Sequence, residues 1–218
     1  SLVGSEMCIR DRLSSKEIDY SRALLQTETK EVGKQKVQIH RLSIPRGETF
    51  KVVLSEGTEV FLNSDSRLAY PTVFKGKERV VSLEGEAYFK VAKDAAHPFI
   101  VKSGNLQIRV LGTEFNVRSY SPTDVRVTLI TGKVAVSDTC GVHSVEMVPG
   151  QSVQLSSDGT FAVNEVDIES FLYWKEGFFY FDDVALVDMM KEIGRWYNID
   201  IELSLIHISE PTRLGMIS

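Results

Sequence analysis

At 218 residues, with 43% hydrophobic and 25% charged residues and a formal net charge of −5, the chain has the makeup of a soluble globular protein of one or two domains. That balance excludes collagen-like, disordered and strongly basic nucleic-acid-binding classes. No window holds the roughly 18 consecutive apolar residues of a membrane span, and the opening Ser1-Leu2-Val3-Gly4-Ser5-Glu6-Met7-Cys8 has no basic stretch followed by an apolar core, so as written the chain carries neither a span nor an export signal.

The two ends carry a signature of DNA rather than of protein. Back-translated as GAG ATG TGT ATA AGA GAC AGG, Glu6-Met7-Cys8-Ile9-Arg10-Asp11-Arg12 has a reverse complement that, read one frame over, encodes Leu-Ser-Leu-Ile-His-Ile-Ser, the residues at Leu203 to Ser209. Such an inverted repeat looks like the mosaic end of a transposase used to fragment DNA for sequencing, read through in translation. Residues 1–12 and 203–218 are therefore expected to be non-native scars, and residues 13–202 a fragment of a larger protein. The charge of −5 is unaffected, because Arg10, Arg12 and Arg213 leave together with Glu6, Asp11 and Glu210. Cys140 is then the one cysteine left, so an intramolecular disulfide is impossible and cysteine usage does not report the redox compartment.

Along the chain, Leu13 to Lys36 is polar with sparse apolar residues and reads as a linker or marginal helix. From Val37 short alternating runs begin: Val37 to Leu42, Phe50 to Leu54 and Glu59 to Leu62. They continue at Arg79 to Leu83, Ala87 to Val91, Phe99 to Lys102, Leu106 to Leu111, Phe115 to Tyr120, Val125 to Ile130, Lys133 to Val136, Ser152 to Leu155 and Phe161 to Val166. Apolar residues at every second position, bounded by turn formers, predict about a dozen half-buried strands. With no helical pattern between Val37 and Val166, the body (37–168) is expected to be all-β, a sandwich or a solenoid-like stack. Glycines recur before strands, at Gly57, Gly85, Gly112, Gly132 and Gly150. Their uneven spacing favours tight turns over a strict repeat.

The texture changes at Phe171. Trp174-Lys175-Glu176-Gly177 leads into an aromatic strand, Phe178 to Phe181, and Asp182-Asp183 offers an N-cap for a helix from about Val184. Leu186, Met190, Ile193 and Tyr197 share one helical face, Asn198 ends the helix, and Ile199 to Glu202 is expected to restart as a strand. Residues 171–202 thus predict the start of a small α/β module, cut short.

Chemistry-bearing clusters are few. Glu84 and Glu86 lie two apart on a strand, which would place both carboxylates on one face about 7 Å apart, within range for paired-acid glycoside hydrolysis. The same spacing serves equally in turn capping or on a solvated face, which is the preferred reading. Cys140 and His143 are two soft ligands near each other, yet a zinc site needs about four ligands, or three plus water, and no second cluster exists. His97 sits in a loop. No catalytic, metal or cofactor site is expected, and the acidic balance with scattered Lys and Arg argues against a nucleic-acid surface. Binding is favoured over catalysis, with no partner specified.

Longer strings go further. Leu83 to Val91 followed by His97 to Val101, then Val110 to Val117, Val127 to Val134 and Pro149-Gly150-Gln151 resemble, in order, the signature of the FecR family. Trp174 to Phe181 and Arg195 to Ile199 are similar to the start of the C-terminal domain that accompanies FecR in Bacteroidetes proteins of this type. The resemblance runs from near Ile44 to Glu202. One departure is Ser55-Glu56-Gly57-Thr58, where the family usually has Asp before the glycine.

The resemblance implies a cell-surface signalling regulator at the periplasmic face of the inner membrane, single-pass when intact. Its periplasmic region would receive a signal from the signalling domain of an outer-membrane TonB-dependent transporter. A cytoplasmic segment, absent here, would control an extracytoplasmic-function sigma factor, with Leu13 to Lys36 as the juxtamembrane linker. On this basis Trp174, Phe178, Tyr180, Arg195, Trp196 and Tyr197 are expected in the module's core and its junction with the body. The competing expectation is a carbohydrate-binding or carbohydrate-active sandwich or cupin-like protein, with Glu84 and Glu86, or clustered histidines, in a concave pocket. An adhesin-like repeat would require regular glycine spacing.

Overall fold

The computed structural model of the chain describes residues 8–10, 24–32, 35–121, 124–156, 160–169, 172–202 and 212–217. Its strands, in chain order, are β1 (Cys8–Arg10), β2 (Leu24–Val32), β3 (Gln35–Ile44), β4 (Phe50–Val53), β5 (Glu59–Leu62) and β6 (Ser66–Pro71). They continue as β7 (Arg79–Lys90), β8 (Phe99–Ser103), β9 (Leu106–Val110), β10 (Glu114–Ser121), β11 (Asp124–Thr131) and β12 (Val134–Asp138). After β13 (Ser144–Met147), β14 (Gln151–Leu155) and β15 (Phe161–Glu165) come a 3-10 turn at Tyr173–Glu176, β16 (Phe179–Val184), helix α1 (Leu186–Tyr197) and β17 (Thr212–Ile217). Among the described residues, no helix is long and apolar enough to cross a membrane.

The body is mainly β, as the alternating runs predict. Its strands join into one large mixed sheet that nearly closes into a barrel, and the arrangement turns on β7. The first part of β7 pairs with β6 and, in parallel, with β8; the last part pairs with β5 and β10. One half-sheet thus runs β2-β3-β6-β7-β8-β9-β12-β13 and the other β1-β4-β5-β7-β10-β11-β14-β15. The halves face each other across a single apolar core that takes Leu42, Leu68, Leu83, Phe99 and Ile108 from one and Val52, Leu62, Phe89, Phe115 and Val127 from the other. Phe89 bridges them, stacked on Phe115 at 5.1 Å and 6.2 Å from Phe99.

The sequence patterns predict two strands broken at Glu84-Gly85-Glu86, and the chain instead runs through as one strand of 12 residues. The break survives as a conformation: Gly85 has φ +91°, and a side chain there would bring its Cβ within 2.7 Å of Ser66 Cα. Only glycine fits, and the strand changes half-sheet at this point. Each glycine of the recurring strings has positive φ, from 88° at Gly150 to 153° at Gly112, and the connections are mostly antiparallel, which makes these turns and kinks rather than solenoid rungs. The turn at Glu56-Gly57 closes through Leu54 N–H donating to Thr58 O, and Glu56 reaches within 3.6 Å of the buried Arg79.

The second half of the polar segment differs from expectation. Leu24–Val32 is a strand, paired residue for residue with β3 from Leu24↔Ser43 to Val32↔Gln35. Gln26 to Thr29 are exposed, so this edge strand needs no apolar alternation to pair, which is why composition alone hides it. Residues 13–23 lie outside the described residues.

The C-terminal module also departs in detail. Asp182 and Asp183 belong to β16, and α1 starts later, with Ala185 at the N-cap and no side-chain cap. The helix ends, as its sequence predicts, at Asn198 in the left-handed conformation (φ +53°). Its buried face is Leu186, Met189, Met190, Ile193 and Trp196, packed on Phe179 and Phe181. Tyr197, 51% exposed, sits at the margin of that face with its ring 6.1 Å from that of Phe179. Residues Ile199 to Glu202 form no strand; Arg46 takes up the Ile199 carbonyl and the Asp200 carboxylate instead. The strand beside β16 is Thr212–Ile217, which, like Cys8–Arg10 beside β4, lies in a segment read as an adapter scar.

Candidate functional site

The densest polar arrangement lies where α1 covers the outer face of β7 and β10. Alternation along β10 sends Phe115 and Val117 into the core, so Asn116, Arg118 and Tyr120 project from the opposite face. Across the ladder, Arg118 is the register partner of Glu86. Glu86, 4% exposed, accepts hydrogen bonds from Asn63 Nδ2 (3.0 Å) and Asn116 Nδ2 (2.9 Å), and Arg118 Nη1 lies 3.5 Å from its Oε2. A buried carboxylate is tolerated only with such a set of donors.

Helix α1 brings the second carboxylate. Glu192 Oε2 is 2.9 Å from the same Nη1 of Arg118, so one guanidinium serves a carboxylate of the body and one of the helix. Burial pushes the Glu192 carboxyl above the usual range; Arg118 opposes that and the nearby Glu86 adds to it. Burial alone would weaken the charge on Arg118, but Glu86 and Glu192 outweigh it and raise its pKa. Tyr120 donates its hydroxyl to Ser64 O at 2.9 Å, and its ring lies 5.3 Å from the Arg118 guanidinium and 3.9 Å from that of Arg195. Burial, then the negative charge of Glu86, push the Tyr120 hydroxyl upward, keeping it protonated.

A second point of attachment lies at the helix C-terminus. Arg46, in the β3–β4 loop, pairs with Asp200 at 2.7 Å and donates to the carbonyls of Gly194 (2.9 Å) and Ile199 (2.6 Å), while Gly47 N–H donates to Arg195 O at 2.8 Å. A cation at a helix C-terminus satisfies carbonyls that the helix leaves open. Beside it runs a crevice of about 570 Å³, walled by Arg46, Asp65, Tyr120, Met190, Arg195 and Ile201 among others. The third point is the 3-10 turn. Trp174 is 7% exposed and shares a cavity of about 30 Å³ with Phe50, Phe61 and Leu62, and Lys175 Nζ lies 4.4 Å from the Tyr88 ring and 4.9 Å from that of Phe61.

The six aromatic and basic residues singled out by sequence are therefore divided. Trp174 and Arg195 stand at the junction. Trp196 belongs to the module's own core, edge-on to Phe179 at 5.2 Å. Phe178 and Tyr197 are 38% and 51% exposed. The Tyr180 side chain lies outside the described residues. The residues missed are polar: Arg46, Asn63, Asn116, Arg118, Tyr120 and Glu192. Outward polar positions on a strand read as a solvated face, and only the covering helix changes their meaning.

The paired-acid idea finds no geometry. Glu84 is exposed and pairs with Arg67 at 3.2 Å, Glu86 is buried among amides and Arg118, and neither lines the two crevices above. Among the described residues, no cluster of three or more His, Cys, Asp or Glu is placed to hold a metal. Cys140 is exposed, and His143 pairs with Asp138.

The model of the FecR protein family matches residues 40–135, from β3 into β12, a stretch that carries Glu86, Asn116, Arg118 and Tyr120. The chain is also similar to a crystal structure, at 1.65 Å resolution, of a candidate anti-sigma factor from Parabacteroides distasonis, with 30% identity, a TM-score of 0.76 and coverage of 81% of this chain and 84% of that one. The chain belongs to the FecR family. A second structure from the same organism, also of a candidate anti-sigma factor, has 29% identity and the same TM-score over 82% of the FecR-family chain described here and 84% of its own. Curated proteins provide no match.

Proposed function

We propose that this chain is the sensing part of a sigma-factor regulator of the anti-sigma type. Its 30% identity to a candidate anti-sigma factor over 84% of that chain is the observation that carries the reading. In the finer form suggested by the sequence resemblance, the chain sits at the periplasmic face of the inner membrane. It receives the signalling domain of a TonB-dependent transporter and acts on an extracytoplasmic-function sigma factor.

The work required is relay rather than catalysis, which needs two states with different partner affinity. The fold offers a hydrogen-bonded route for it. Glu86 on β7 contacts the α1 network, β7 pairs with β6, β6 with β3, and β3 with β2, which lies within the segment read as the linker. A displacement of the module thus has a contiguous path to the N-terminal segment.

Hydrogen exchange of the chain with and without a purified signalling domain of the transporter encoded beside its gene tests the reading. Slowed exchange beyond Trp174, with altered exchange in β2, is expected. No change beyond Trp174 overturns the module as receiver. The absence of both a sigma-factor gene and a transporter gene from the neighbourhood overturns the wider assignment.

A further inference from the structure

The body and the module have separate apolar cores. One cluster is confined to the β body, from Leu42 to Val153, and the other to Phe179, Phe181, Met189 and their neighbours on β16 and α1. No residue is shared between them. Among the described residues, the hydrogen bonds, ion pairs and ring contacts that join α1 to the body are Arg118 with Glu192, Arg195 with Tyr120, Arg46 with Asp200 and two carbonyls, and Gly47 N–H with Arg195 O.

We propose that α1 with β16 is a detachable arm, clamped to the body by Arg118, which Glu86 of the body and Glu192 of the helix share, and released without unfolding either unit. This goes beyond the functional reading above and does not depend on it. Merged apolar cores separate only with loss of both folds. A charged contact is different: desolvation offsets most of its attraction, so it fixes geometry more than it adds stability, and its partners regain water when it opens. The tether stays in place. Trp174 and Lys175 hold the 3-10 turn against Phe61 and Tyr88, and Gly177, at φ +87° directly after that turn, is where the chain can swing.

Two amides separate docking from folding. Gly47 N–H, on the body, donates to Arg195 O of the helix, so its protection reports docking. Ile199 N–H donates to Gly194 O, within the helix cap, and reports helix integrity. Val117 N–H, in the centre of β10, reports the body. In the full chain, raising salt to about 1 M is expected to lower the Gly47 protection factor at least roughly tenfold, with Ile199 and Val117 within about twofold of their original values. Arg118→Met, which also leaves Glu86 buried without its cation, is expected to lower Gly47 at least roughly tenfold beyond any fall at Val117. Glu192→Gln, which keeps a hydrogen-bonding head on the helix, serves as a second variant should Arg118→Met fail to fold; it is expected to abolish the salt response of Gly47. Gly47 protection that is insensitive to salt and to both variants overturns the clamp. Gly47 protection that falls only in step with Val117 or Ile199 overturns the detachable arm.

Discussion

Arg118 stands directly opposite Glu86 in the β10–β7 ladder, and the Nη1 that the ladder brings to 3.5 Å from Glu86 is the one that Glu192 reaches at 2.9 Å from α1. The strand register therefore decides where the helix can sit.

Removing Glu86 should cost more than losing one ion pair. Glu86→Ala strands two amide groups and part of a buried guanidinium, and a destabilisation of about 3–5 kcal/mol is expected in urea unfolding. Glu86→Gln keeps one acceptor oxygen and should cost less. Equal effects of the two substitutions would show that the hydrogen bonds to this group contribute nothing.

Docking should tighten as pH falls. The Glu192 carboxyl faces Arg118 on β10, Glu86 on β7 and Arg195 on its own helix, and burial raises its pKa in the docked state. A raised carboxyl means that the docked state holds its proton more tightly. The resulting stabilisation is fully present below the unfolded value of about 4.3 and is lost as pH rises through the docked-state value. The Gly47 protection factor, corrected for intrinsic exchange, should decline through that window in the native chain and stay flat in Glu192→Gln.

Gly194→Ala sets helix propensity against docking. In an isolated helix alanine is favoured by about 0.8–1.0 kcal/mol. Here its Cβ would lie 2.9 Å from Ile199 O and 3.3 Å from Arg46 Nη2, so Gly47 protection should fall while far-ultraviolet helicity holds. Unchanged Gly47 protection would mean that the helix end does not need this close approach.

Gly85→Ala should destabilise the body by at least about 2 kcal/mol in chemical unfolding, from left-handed strain and the contact with Ser66. A loss under about 0.5 kcal/mol would mean that β7 can pass between the half-sheets without glycine.

The strands of the body were legible because each pairs an inward apolar row with an outward polar one. Phe50 and Val52, or Phe115 and Val117, announce themselves without knowledge of their partners. β6 and β13 were not: Ser66 opens β6 in place of an apolar residue ahead of Leu68 and Tyr70, and β13 offers only Val145 and Met147. β2 was not, because an edge strand paired on one side tolerates Gln26, Thr27, Glu28 and Thr29. The aromatic residues before and within α1 pointed to the module's core through Phe179 and Trp196, and Tyr197 reaches only its margin, half exposed beside Phe179. The site itself was hidden for a further reason. Glu86 and Glu192 are far apart in sequence and meet only through Arg118, so their relation exists in the register of β10 on β7 and nowhere in local pattern.

The four-way pairing of β7 also orders events during synthesis. Its first partners, β5 and β6, emerge before it, but β8 and β10 emerge after it. A nascent chain released as far as Lys90 carries a 12-residue strand with half of its hydrogen-bonding edges open. Closure must wait until Ser121 is out, with long-range pairing and slow nucleation as the result. Until then the flanks of β7 are open to non-native strand pairing.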